Sequence, residues 1–272
     1  MERAAHLLPS LDVPPSDAPA VYFLTGRTFW YQTAFCGYTL ITQARRPLRV
    51  VLLDDGTLQP DQAAELRRIF CGAQIVSSAE SDRKLDKYLP FEHFPSLRNR
   101  RLVYPHLRKL IDVHVGEIGW KLVLDSDMLF FKRPEFLLNW LDKPDRPCHM
   151  TDIDDAYGYS VQLLTELADA PIPRRLNVGM CGLNSETIDW NRLETWCKVT
   201  QEREGSHYLQ EQAMVAMLMA NQPRAVAPTN EYVVQPSRTS TEHPTAVLHH
   251  YVAKSKAWYF RFGWRESVLD RR

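Results

Sequence analysis

The chain has 272 residues, 44% of them hydrophobic, which is enough to bury a full core, and single domains of this size are common among α/β proteins. Its 33 basic and 33 acidic residues cancel, arguing against a protein whose main partner is nucleic acid. Five scattered cysteines (36, 71, 148, 181 and 197), with no CxxC pair, read as reduced core residues of a cytoplasmic protein, neither a disulfide framework nor a structural zinc site.

The opening stretch, MERAAHLLPSLDVPPSDAPA, has no charged head followed by a long apolar segment, so it does not read as a secretory signal. Residues 1–20 are expected to form a flexible, Pro-rich leader. The domain proper is expected over 21–258, with an aromatic and basic tail at 259–272. VYFL (21–24) has strand composition and ends in Thr25-Gly26, and a helical pattern follows from Trp30 to Gln43. LRVVLL (48–53) predicts a buried strand closed by Asp54-Asp55-Gly56. Pro60 and Gly72 bracket a helix, and AQIVSS (73–78) predicts a third strand. Pro105 opens another helix, which leads into Leu122–Leu124. Strands alternating with helices predict βαβ units and a mostly parallel sheet flanked by helices. Further on, RLNVGMCGL (175–183) predicts a strand, 189–200 and 208–221 predict helices, and 246–251 predicts a last strand. The longest uninterrupted apolar stretch, Ala213 to Ala220, is far shorter than the roughly 18 residues of a membrane span.

LVLDSDMLFF (122–131) sets two aspartates in an apolar run, where ionised carboxylates are costly without partners. In extended chain, residues i and i+2 share a side, so Asp125 and Asp127 address one cation together, with Ser126 pointing away. Hard oxygen ligands of this kind suit Mg²⁺ or Mn²⁺ with a nucleotide diphosphate completing the shell. A second pair, Asp152-Ile153-Asp154, lacks the apolar flanks and, with Asp155, reads as a polar loop. Phosphatases that attack with the first aspartate of DxDGT have a near miss at LLDDGTL (52–58), where Leu53 occupies the nucleophile position; that chemistry would have to use Asp125 instead.

HYVAKSKAW (250–258) resembles the C-terminal motif of retaining glycosyltransferase family 8, the glycogenin and bacterial galactosyltransferase group. HLRKLIDVHVGEIGWKLVLDSD (106–127) is similar to that family's helix-then-DxD block, LNVGMCGLN (176–184) to its Asn-x-Gly strand, and Glu211-Gln212 to its Asp-Gln pair. The resemblance implies a GT-A fold and a transferase moving a hexose from a UDP-sugar to a saccharide, lipid-linked or protein acceptor, with retention. It implies Mn²⁺, with Mg²⁺ as the alternative, held by Asp125, Asp127 and His250. Thr25, Gly26, Arg108, Asp125, Gly179 and Lys256 would bind the donor, while Asn177, Glu211 and Gln212 would face the reacting sugar. Thr25-Gly26 stands where the family often has acidic or amide groups, Ala253 replaces a usual glycine, Ala257 a proline, and Glu211 an aspartate. The rival readings are a metal-dependent phosphohydrolase and a sugar-nucleotide-binding protein without turnover. The tail from Trp258 interleaves aromatics with arginines, a composition for packing or, at most, peripheral membrane contact.

Overall fold

The computed structural model describes residues 1–269. Ten strands alternate with helices along it: β1 (Ala20–Thr25), β2 (Arg49–Asp54), β3 (Gln74–Val76), β4 (Trp120–Leu124), β5 (Met128–Phe130), β6 (Cys148–Thr151), β7 (Leu176–Asn184), β8 (Ala225–Val226), β9 (Tyr232–Val234) and β10 (Leu248–His250). Seven make one sheet in the order β3-β2-β1-β4-β7-β6-β8, and a smaller sheet runs β5-β10-β9. The pairs β3–β2, β2–β1, β1–β4 and β6–β8 are parallel; β7 runs antiparallel to both β4 and β6. This is the α/β, mostly parallel architecture that the alternation of patterns predicts.

Strands β2, β4 and β7 are buried on both faces, which is why they read as continuous apolar runs. Along β4, Leu122 and Leu124 enter the core that holds the helix Trp30–Ala44, while Val123 enters a cluster on the opposite side. The helices Leu107–His114, Trp190–Glu204 and Gln210–Leu218 supply a further core with β7. AQIVSS is strand only to Val76, because Ser77 caps the next helix, Ser78–Tyr88, in a reciprocal box with Glu80.

The first twenty residues differ from the loose leader expected of them. They hold the helix Glu2–Ala5, Ala5 and Leu8 are buried in the main core, and Leu11 bridges Phe70. Apolar groups at 5, 8 and 11 give the segment a face to bury, and Glu2 accepts a hydrogen bond from Trp30 Nε1 at 3.0 Å. At the other end Tyr259 is fully buried and Trp264 meets Phe35 edge-on at 5.5 Å, so the start of the expected tail packs on the domain, while its residues 270–272 lie outside the described residues. No helix among the described residues is long and apolar enough to cross a membrane.

Candidate active site

Asp125 and Asp127 lie in the link between β4 and β5, at the carboxyl end of the sheet, where α/β proteins collect ligands. Asp125 extends the ladder by one bond, its N–H donating to the Gly179 carbonyl at 2.7 Å. The chain then turns into β5, which pairs antiparallel with β10 so that Met128 stands opposite His250. Tyr251 N–H closes the register on the Asp127 carbonyl at 2.9 Å. Strand pairing thus carries a side chain more than a hundred positions away onto the acid pair. His250 Nε2 lies 3.2 Å from Asp127 Oδ1 and 3.6 Å from Asp125 Oδ2. One ligand atom from each of the three residues falls within 4.8 Å of the others.

Asn177 fixes the imidazole. Its Nδ2 donates to Asp152 Oδ2 at 2.9 Å, so its Oδ1 is left as acceptor, for Gly179 N–H at 3.0 Å and His250 Nδ1 at 3.1 Å. Nδ1 must therefore carry a proton, and Nε2 is turned toward the carboxylates. That Nε2 is buried and makes no hydrogen bond. A buried imidazole nitrogen within ion-pair range of two carboxylates, yet completing no hydrogen bond, fits a divalent cation that all three would share. Without the cation, burial works against the imidazolium, but Asp127 and Asp125 hold the His250 pKa above its ordinary value. Burial likewise opposes ionisation of Asp127, yet His250, Lys256 and Lys109 bring its pKa below the usual range. Gly179 makes the room: a Cβ there would come within 2.4 Å of the imidazole.

Lys109, which the sequence did not single out, lies at the centre of the charge network. Buried on the helix Leu107–His114, its Nζ donates to Asp125 Oδ1 at 2.5 Å and pairs with Glu211 Oε2 at 3.0 Å. Burial disfavours its charge, but the two acids outweigh that and raise its pKa. Burial and the Asp125 charge push Glu211 up to about 7, against the pull of Lys109. Arg108 is turned elsewhere, its Nη1 on Ser78 Oγ at 3.2 Å and 3.8 Å from Asp112. Its buried Nε has no partner.

Lys256 is half exposed, with Nζ 3.4 Å from Asp127 Oδ2. Gln212 points the opposite way from Glu211, donating to the Ala156 carbonyl at 2.7 Å and to Asp152 at 3.4 Å. Thr25 is buried and accepts from Thr33 Oγ1 at 3.0 Å; at Gly26 a Cβ would strike the Asp55 carboxylate at 2.2 Å. Neither is brought into the acid–histidine cluster. Two aromatic rings went unread in the sequence. Tyr208, 62% exposed, meets His106 edge-on at 5.0 Å, and both feel the charges of Asp125, Asp127, Lys109 and Lys256.

No protein-family model and no curated protein matches the chain. Solved structures do. The galactosyltransferase LgtC, in complex with donor and acceptor sugar analogues, aligns with a TM-score of 0.57 at 12% identity, over 92% of this chain and 100% of its own. Mouse xyloside xylosyltransferase 1 aligns with a TM-score of 0.57 at 12% identity, over 86% of this chain and 97% of its own. The bifunctional glycosyltransferase WbbM aligns with a TM-score of 0.56 at 10% identity, over 97% of this chain and 53% of its own. The fold is that of the GT-A glycosyltransferases.

Proposed function

We propose that the protein is a metal-dependent glycosyltransferase, moving a hexose from a UDP-sugar to a hydroxyl of a saccharide, lipid-linked or protein acceptor with retention of anomeric configuration. The observation that carries this reading is the Asp125–Asp127–His250 cluster on a glycosyltransferase fold, with the histidine nitrogen oriented and unpartnered. The mixed carboxylate and imidazole set favours Mn²⁺ over Mg²⁺. A bound ion supplies Lewis-acid neutralisation of the departing diphosphate.

The chain's own residues divide the remaining work. Lys256, at the mouth beside Asp127, offers a cation to the pyrophosphate. Lys109 fixes Asp125 and Glu211, keeping the wall behind the sugar rigid. Gln212 is tied to Asp152 and Ala156, so it braces the site, and Asn177 orients the imidazole. Arg108 stands back from the cluster, with an unpartnered Nε to offer the donor. The uridine would lie past Thr25-Gly26, where Gly26 closes on Asp55. The Tyr208–His106 edge gives an acceptor sugar an apolar face to stack on. The acceptor proton would pass to the leaving phosphate oxygen as the new glycosidic bond forms on the same face. Free cysteines and the absence of a membrane-spanning helix among the described residues support work in the cytoplasm, with at most peripheral membrane contact through the tail.

The test is UDP release from a panel of UDP-hexoses with Mn²⁺. Turnover abolished by EDTA and lost in Asp127→Ala and His250→Ala is expected. Undiminished turnover in those variants would remove the assignment, and phosphate release from phosphomonoesters would favour a phosphohydrolase.

A further inference from the structure

A cavity of about 600 Å³ opens on the far side of the Asp152 loop. Volumes of this order accommodate small-molecule ligands. His149, Thr151, Asp154, Arg174, Arg175 and Arg224 line it. The loop between cavity and active site is built on both sides. Facing the active site, Asp152 Oδ2 accepts from Asn177 at 2.9 Å and from Gln212 at 3.4 Å. Behind it, Asp152 N–H donates to the Arg175 carbonyl at 2.6 Å and Arg175 N–H to Asp155 Oδ1 at 2.5 Å. Arg175 adopts φ 51°, the left-handed region costly for a side-chain-bearing residue, so its placement is imposed by these bonds.

Two lining side chains each carry one buried nitrogen without a hydrogen-bond partner. His149, 3% exposed, pairs its Nδ1 with the Met150 carbonyl at 2.6 Å, so Nδ1 carries the proton and Nε2 is a free acceptor. That Nε2 has no hydrogen bond. Burial and the nearby Arg224 keep the ring neutral by lowering its pKa. Arg224 is anchored through Nη1 to the carbonyls of Met219 at 2.9 Å and Gln222 at 3.1 Å, while its buried Nε is unpartnered. The walls therefore present both signs of polar demand. His149 Nε2 and the exposed Asp154 accept from hydroxyls, and Arg175 and Arg224 donate to an anion. Arg174 is spent on Asp155 at 3.1 Å.

We propose that this cavity binds a sugar unit bearing an anionic group, a carboxylate or a phosphate, as part of the acceptor. The assignment to the acceptor rests on the glycosyl-transfer reading; the binding itself does not. Hydroxyls of the ring satisfy His149 and Asp154, and the anion takes the two arginines. A neutral sugar leaves the arginines unpaired, and a bare anion leaves His149 unpaired.

The experiment is calorimetric titration of the full chain, in EDTA and without nucleotide, with glucuronic acid, glucose 6-phosphate, glucose and inorganic phosphate. The first or second is expected to bind at least about tenfold more tightly than glucose and inorganic phosphate, and which of the two does so separates the two anion chemistries. Arg224→Gln weakens that binding by about tenfold, and the exposed Arg175→Gln by less, guarding against a fold defect in the first. Binding persists in Asp127→Ala, which lacks a metal ligand. No binding of either anionic sugar, equal binding of glucose or of inorganic phosphate, or indifference to both arginine variants overturns the proposal. If the anionic sugar binds here while UDP-hexoses give no Mn²⁺-dependent UDP release, the transferase reading fails and the cavity stands. The reverse pattern removes only the cavity.

Discussion

The chain carries the tripeptide Asp-x-Asp twice, and the two copies do different things. Asp125 and Asp127 face Lys109, Lys256 and His250, a concentration of basic partners drawn from the preceding helix and from the C-terminal part of the chain. Asp152 faces two neutral amides, those of Asn177 and Gln212, and Asp154 is exposed. The tripeptide itself carries little of the distinction; what is brought opposite it decides. A carboxylate among cations can give them up to a metal and a diphosphate. One that accepts from amides instead fixes the residues behind a working group.

The largest expected effect breaks the first copy's surroundings. Lys109→Met strands Asp125 and Glu211 in a buried site without their cation and should cost about 3–5 kcal/mol of unfolding free energy in denaturant titration. Next, Asp127→Asn should lower Mn²⁺-dependent turnover on the order of 10²–10³-fold, whereas Asp154→Asn should leave it within about twofold. Equal losses at the two positions would erase the contrast. Asn177→Ala, which frees the His250 ring, should weaken Mn²⁺ affinity by about 10–100-fold in a metal titration. The fourth test is of pH. Because burial raises the Glu211 pKa from 4.5 to about 7, the native state keeps a proton that the unfolded chain has released. The resulting stability is fully present below pH 4.5 and is lost as pH rises through about 7, and Glu211→Gln should flatten that slope. Smallest is Ala253→Gly. Ala253 has φ 47°, holding the left-handed conformation that glycine adopts freely, so relief of strain should raise stability by up to about 1 kcal/mol.

Much of the fold was legible because burial leaves a periodic trace. LRVVLL and VYFL lie within a residue or two of β2 and β1, and the helix from Trp30 ends one residue beyond its expected limit. The helix Ser78–Tyr88 went unread because it buries only Ser81 and Leu85, too little apolar signal to stand out from a polar loop. In the site, the acid pair stood out by its apolar flanks, and His250 was joined to it only by the family resemblance of HYVAKSKAW; the structure brings the three together. Lys109 was not legible, because Arg108 beside it carried the same charge and the resemblance. Which of two neighbouring cations faces a strand end depends on a rotation of about 100° per residue about the helix axis, set by tertiary packing and invisible locally. The bracing by Asn177 and Gln212 was hidden likewise, since it needs Asp152 to arrive from another strand.

The placement of β10 has a consequence during synthesis. A nascent chain whose first 247 residues have emerged possesses every strand of the larger sheet and both aspartates of the acid pair, yet lacks the imidazole. Premature termination there would leave the acid pair without the histidine that strand pairing sets beside it. The acid–histidine cluster thus closes late in translation, as β10 settles between its two neighbours.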